Sequence, residues 1–178
     1  MPSWKNRIVE SGMIAPSAIE GHPENWRTHP QHQREALTGA LRELGWIQQV
    51  VLNKRTGYLI DGHLRVALAL EAKESEIPVL YVDLSEDEER LALLTLDPIA
   101  ALAETNREAL TTLLHEVQSG EAGLQAMLSE LAERQGIVPQ DGLDIGGDAP
   151  EDFPEYGEDI STDYCCPKCG YTWSGKPQ

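Results

Sequence analysis

The stretch Gly57-Tyr58-Leu59-Ile60-Asp61-Gly62-His63-Leu64-Arg65-Val66-Ala67-Leu68-Ala69-Leu70 decides the fold of this 178-residue chain. Tyr58-Leu59-Ile60 reads as a short apolar strand and Asp61-Gly62 as a sharp turn. A helix follows, with Leu64, Ala67, Leu68 and Leu70 as its expected buried side. The turn holds a carboxylate, a glycine and an imidazole in three consecutive residues, and a guanidinium follows at Arg65. A helix that starts just after Gly62 presents unpaired backbone N–H groups and a positive dipole end. Gly62 lets a ligand approach the backbone closely, and Arg65 reaches the same point from one turn inside. Together they suit an anion such as phosphate. Asp61 as a simple helix cap beside a surface Arg65 is the competing explanation. His63 in the first helical turn is harder to explain as a cap, and could donate to phosphate or move a proton.

Apolar runs flank this stretch. Val50-Val51-Leu52 reads as a strand joined to Tyr58-Leu59-Ile60 by a Lys54-Arg55-Thr56-Gly57 hairpin turn. Ile77 to Val82 reads as a third clear strand. Met13 to Ile19 reads as a first strand, which Pro16 would place at a sheet edge. Gln31 to Leu44 carries apolar residues at three- and four-residue spacing and ends at Gly45, a helix with its expected cap. Ser85-Glu86-Asp87-Glu88 is a capping-box start, and Asp97-Pro98 is expected to end that helix. Ile99 to Ala103, Arg107 to Gln118 and Gly123 to Arg134 read as further amphipathic helices.

The loop Gly21-His22-Pro23-Glu24-Asn25-Trp26-Arg27-Thr28-His29-Pro30 is dense in unlike functional groups. Such groups on a loop held by a scaffold point to a site, although a plain polar surface loop has the same composition.

The net charge is −16, distributed unevenly: +2 up to Leu70 and −18 beyond it. Phosphate neutralisation supplies most non-specific DNA affinity, so an acidic chain grips DNA poorly and any nucleic-acid contact falls to the N-terminal part or to a partner. No apolar run approaches a membrane span and no N-terminal signal is legible. A cytoplasmic protein is the expectation. Cys165, Cys166 and Cys169 are the only cysteines. They cannot staple the whole fold with disulfides, and they suit a reducing compartment.

Leu59-Ile60-Asp61-Gly62-His63-Leu64-Arg65-Val66-Ala67, with a hairpin before it and Ile77-Pro78-Val79 after it, resembles the ParB/sulfiredoxin superfamily. It is similar in particular to the ParB-like domains of phages and of methyltransferase neighbourhoods. Free serine kinases of this fold carry the same Asp-Gly-His-x-Arg turn. The resemblance implies an α+β fold, a small mixed sheet packed with helices. The resemblance covers the ParB-like domain (12–110), which follows a lead-in (1–11) and precedes a helical extension (111–135); the Gly-, Pro-, Asp- and Glu-rich composition of 136–163 reads as an acidic disordered linker, and a zinc-knuckle-like tail (164–178) ends the sequence. The resemblance further implies a nucleotide-phosphate site, with Gly62, His63 and Arg65 on phosphates and Arg27 and Asn25 reaching in from the upstream loop. Asp61 or Glu24 would be the acidic group, with Mg²⁺ alongside the nucleotide. Two departures stand out. The turn has no cysteine, so sulfiredoxin chemistry is excluded. Asp97-Pro98-Ile99-Ala100 lacks the Arg of the third partition box.

The tail Cys166-Pro167-Lys168-Cys169-Gly170-Tyr171 resembles one knuckle of a zinc ribbon. One knuckle supplies two of four ligands; Cys165 could add a third, and a His or a second chain the fourth. Two function classes follow. One is an enzyme built on Asp61, His63 and Glu24: a phosphotransferase, NTPase or nuclease. The other is a nucleotide-sensing or adaptor module, with a homodimer among its expected assemblies, that meets DNA through a protein partner.

Overall fold

The computed structural model describes residues 3–137 and 164–173. They fall in two compact bodies, one within residues 3–137 and one within residues 164–173. The expected acidic linker lies, beyond residue 137, outside the described residues.

The first body is built on five strands: β1 (Ile8–Ile14), β2 (Glu20–Gly21), β3 (Val50–Asn53), β4 (Tyr58–Asp61) and β5 (Ile77–Val82). Their order is β1-β5-β3-β4-β2. β1 pairs antiparallel with β5, β5 parallel with β3, β3 antiparallel with β4, and β4 parallel with β2. The helices are α1 (Gln31–Leu44), α2 (His63–Ala72), α3 (Glu86–Ala101), α4 (Arg107–Glu116) and α5 (Ala122–Arg134).

The runs Val50-Val51-Leu52, Leu59-Ile60 and Ile77 to Val82 are continuously apolar because both sheet faces are covered. Successive side chains of a strand point to opposite faces. Val50, Leu52, Leu59, Ile77 and Val79 pack with Val66 and Ala69 of α2. Ile60 and Val82 pack with Leu93 of α3 on the other face, with Val51 beside them. The α+β mixed sheet with helices on it therefore matches expectation, and α2 and α3 grip the central strands from both sides.

Three expectations need correcting. The first strand is Ile8–Ile14, not Met13 to Ile19, so part of the expected lead-in belongs to the sheet; a 3-10 turn covers Pro16–Ala18. β1 is an edge strand, as anticipated, but nearly all of it is exposed, so backbone pairing holds it and no apolar alternation marks it. The second correction concerns α3, which continues through Pro98. Asp97 is helical despite the proline after it, and its carboxylate is tied to Arg27. The third concerns α2, whose buried residues are Leu64, Val66, Leu68 and Ala69, with Leu70 about half exposed.

The acidic helices after Leu102 are not all free for a partner. Helix α5 packs on α1, where Cβ atoms built on Gly39 and Gly123 would lie 2.9 Å from Glu121 Cβ and 2.7 Å from the Glu35 carbonyl carbon. Among the described residues no helix is long and apolar enough to cross a membrane.

Candidate functional site

Strand β4 ends at Asp61, and α2 begins two residues later. Gly62 joins them with φ +97°, in the left-handed region. A Cβ there would sit 2.7 Å from Val50 Cγ1 and 3.2 Å from Arg65 Nε. Both backbone and space therefore require glycine. Gly62 is itself the cap residue, and no side chain caps the first turn of α2. The competing explanation of Asp61 as a helix cap does not hold. It closes the strand, and its carboxylate accepts a hydrogen bond from Arg65 Nη2 at 2.7 Å. Arg65 Nη1 donates to Gln48 Oε1, also at 2.7 Å.

The two-residue strand β2 matters through its position. Its parallel pairing with Tyr58 and Leu59 delivers the loop that begins at His22 to the end of the sheet where Gly62 lies. Helix α3 then holds that loop along one face. His22 Nε2 lies 3.6 Å from Glu89 Oε1. Glu24 accepts from Arg90 Nε at 3.0 Å. Trp26 Nε1 donates to the Leu93 carbonyl at 3.3 Å, and Arg27 Nη1 is ion-paired with Asp97. Glu89, Leu93 and Asp97 recur every four residues, so they share one helix face.

Glu89 anchors this face. Only 2 % exposed, it accepts from Asn53 Nδ2 at 3.0 Å and from Thr56 Oγ1 at 2.8 Å. Replacing Glu89 with alanine strands those donors and leaves a cavity. The expected loss is about 3 kcal/mol in chemical denaturation, with no change for the exposed neighbour Asp87→Ala. Equal stability of both variants would show that this network carries no load.

Arg27, His29, Gln33, Leu37, Gln48, Asp61, Gly62, His63, Leu64, Arg65 and Asp97 line one cleft of about 190 Å³. That is below the ~300–1,000 Å³ of pockets that swallow a drug-sized ligand, and it suits a phosphate group with the rest of a ligand lying outside. Two buried side-chain polar atoms among the described residues have no hydrogen-bond partner: Arg27 Nη2 and Arg65 Nε. Both belong to guanidiniums that line this cleft. An unsatisfied buried donor costs about 1–3 kcal/mol, and more when charged. Arg27 also stacks on Trp26, 4.9 Å from the ring centroid.

His63 contributes less freely than the sequence suggests. Its Nε2 accepts the backbone N–H of His22 at 3.3 Å, which puts the proton on Nδ1. Burial pushes its pKa below the ordinary histidine value; Asp61 opposes this, while His22, His29 and Arg27 push it lower. A histidine depressed in the folded state stabilises the fold above the unfolded pKa. That contribution is lost as pH falls from about 6.5 toward the folded value. Wild-type stability should therefore drop as pH falls below about 6.5, and His63→Gln should flatten that part of the profile. An unchanged profile in His63→Gln would remove His63 from the acid response.

Of the residues singled out in the sequence, the fold brings Arg27, Asp61, Gly62, His63 and Arg65 to one cleft. Glu24 and Asn25 do not line it. Asn25 Oδ1 accepts the Arg27 backbone N–H at 3.3 Å and so shapes the loop. Gln48 and Asp97 line the cleft without having been singled out as site residues. Among the described residues no three His, Cys, Asp or Glu side chains are grouped to hold a metal ion. In the second body, β6 (Tyr164–Cys165) and β7 (Thr172–Trp173) form a hairpin whose turn carries Cys166 and Cys169. Backbone N–H groups of Lys168 and Cys169 donate to the Cys166 sulfur and hold its thiol below the ordinary range.

No family model matches the chain. It is 30 % identical over 72 residues to the ParB-like nuclease domain-containing protein YnaK of Escherichia coli (strain K12), a match that covers 40 % of this chain and 82 % of that protein. Among solved structures it is similar to the C-terminally truncated chromosome-partitioning protein ParB of Caulobacter crescentus complexed with CTP-gamma-S. There the identity is 18 % and the TM-score 0.47, over 70 % of this chain and 79 % of that one. It is also similar to a Pnob8-like ParB-N domain, with 21 % identity and a TM-score of 0.43 over 71 % of this chain and 47 % of that one.

Proposed function

The chain belongs to the ParB-like N-terminal domains of the ParB/sulfiredoxin superfamily, and from that premise we propose that its cleft binds the phosphate end of a nucleotide. The observation that carries this is the pair of unpartnered guanidinium atoms, Arg27 Nη2 and Arg65 Nε, on residues that share a cleft with the uncapped start of α2. Helix N–H groups, a glycine that admits close approach and two guanidiniums are the chemistry of phosphate binding. Mg²⁺ would arrive with the nucleotide. The cleft carboxylates Asp61 and Asp97 are each paired with an arginine, and Mg²⁺ readily takes most of its ligands from phosphate and water.

Binding is favoured over turnover because the candidate bases are engaged: Asp61 with Arg65, and His63 Nε2 with the His22 N–H. The protein is then a nucleotide-sensing module in a DNA-associated process of phage or plasmid type, and its acidity assigns DNA contact to a partner. Phosphoryl or phosphodiester chemistry is the second reading. It is favoured by Asp61 and His63 lining the same cleft, and the E. coli relative is named for a nuclease domain.

Calorimetric titration with inorganic phosphate, pyrophosphate and a panel of nucleoside triphosphates, each with Mg²⁺, tests the proposal. Saturable binding that strengthens with the phosphate chain is expected. Heat of binding from none of them would refute it. Nucleotide or phosphodiester turnover that Asp61→Ala abolishes would move the protein to the second reading.

Asp97 supplies a further expectation. Its carboxylate is 59 % exposed and neutralises Arg27 at the cleft, so it competes with an incoming anion. Exposed pairs contribute little, and the gain in phosphate affinity on Asp97→Asn should be modest, about threefold to fivefold. Weaker binding by Asp97→Asn would mean that Asp97 supports the ligand instead of competing with it.

A further inference from the structure

The cleft of about 190 Å³ takes a phosphate group and leaves the remainder of a nucleotide outside. Arg27 bounds the space where that remainder lies. Its guanidinium lines the cleft, with Nη1 on Asp97 and Nη2 without a partner. The same guanidinium lies over the indole of Trp26, with Cζ 4.9 Å from the ring centroid. Arg27 is therefore a wall shared by the phosphate cleft and the tryptophan.

Trp26 is 56 % exposed even though its polar end is engaged. Nε1 donates to the Leu93 carbonyl of α3 at 3.3 Å, which fixes one edge of the ring. Arg27 covers one face. The exposure falls on the opposite face and the free edge. Single exposed apolar side chains are ordinary on a protein surface. Trp26 differs in being held rigid from α3, with its ring against an arginine of the cleft. A fixed aromatic face beside a phosphate-binding group is a platform for a flat ring.

We propose that Trp26 is the base-stacking subsite of the nucleotide whose phosphates the cleft holds, an inference that rests on the phosphate reading of that cleft. The base lies on the indole face opposite Arg27, and the sugar and phosphate chain turn past Arg27 toward Gly62 and the start of α2. Arg27 then serves both ends of the ligand, as a donor to phosphate and as a cation on the indole. Trp26 itself reads no base edge, because Leu93 takes its one polar group. It favours a nucleotide of any base over a bare phosphate chain.

Calorimetric titration of the full chain with inorganic triphosphate and with ATP, GTP, CTP and UTP, each with Mg²⁺, tests this. The readout is the affinity of the tightest nucleotide divided by that of triphosphate. It should be at least about fivefold in the wild type, close to about one in Trp26→Leu, and kept in part by Trp26→Phe. Both variants lose the hydrogen bond to Leu93, so the difference between them reports the aromatic face alone. A wild-type ratio of about one, a ratio that survives Trp26→Leu, or equal loss in Trp26→Phe would overturn the stacking subsite and leave the phosphate cleft standing. Binding of neither triphosphate nor any nucleotide would refute the phosphate reading and the subsite with it.

Discussion

Gly62→Ala should destabilise the protein by about 4 kcal/mol. Two costs combine. A non-glycine residue in the left-handed region costs roughly 1–2 kcal/mol. Forcing a methyl group into a packed site costs about 1–3 kcal/mol more. The obstacle is Val50 Cγ1 at 2.7 Å, and Val50 is fully buried in the sheet core, so it has nowhere to retreat. Gly12→Ala is the control, since a Cβ there meets nothing within 4 Å; it should change stability by less than about 0.5 kcal/mol. Urea denaturation of the two variants decides the matter. Equal, small effects would mean that the turn can relax and that glycine is not required at the start of α2.

Arg65→Ala should weaken binding of the phosphate ligand by at least about tenfold. A hydrogen bond to a charged group contributes about 1.5–3 kcal/mol, and tenfold corresponds to about 1.4 kcal/mol. Arg65 holds Asp61 and Gln48 through its two terminal nitrogens, while Nε has no partner. Truncation therefore removes the unsatisfied donor and frees the Asp61 carboxylate to repel an anion. Arg65→Lys keeps the charge but not the planar fork, and it should restore affinity only in part. Full restoration by lysine would reduce the role of Arg65 to a point charge.

The turn is legible in the sequence because its chemistry is local. Asp61, Gly62, His63 and Arg65 are neighbours in the chain, and strand and helix patterns on either side fix where they lie. The loop from His22 to Pro30 is legible by its density of functional groups, but what each group touches is not. Glu24 belongs to Arg90, and Asn25 to the loop backbone. Glu89 is the clearest loss. It closes an acidic run, Glu86-Asp87-Glu88-Glu89, that reads as a solvated helix start, yet it is among the most buried side chains. Its partner Asn53 is 36 residues away. The one available signal was its spacing, four residues before Leu93 on the buried face. The start of strand β1 is not legible in the sequence because its pairing with β5 uses backbone groups that any residue possesses. The continuation of α3 past Asp97 is not legible because Pro98 normally marks a stop, whereas here a distant arginine engages Asp97.

The most direct test of the phosphate cleft is the affinity of a nucleoside triphosphate with Mg²⁺ for three proteins: wild type, Arg27→Ala and Arg65→Ala, each first shown to be folded by its denaturation curve. Saturable binding by the wild type, with each variant at least about tenfold weaker, is the expected result. Wild-type affinity in both folded variants would contradict the assignment of the ligand to this cleft.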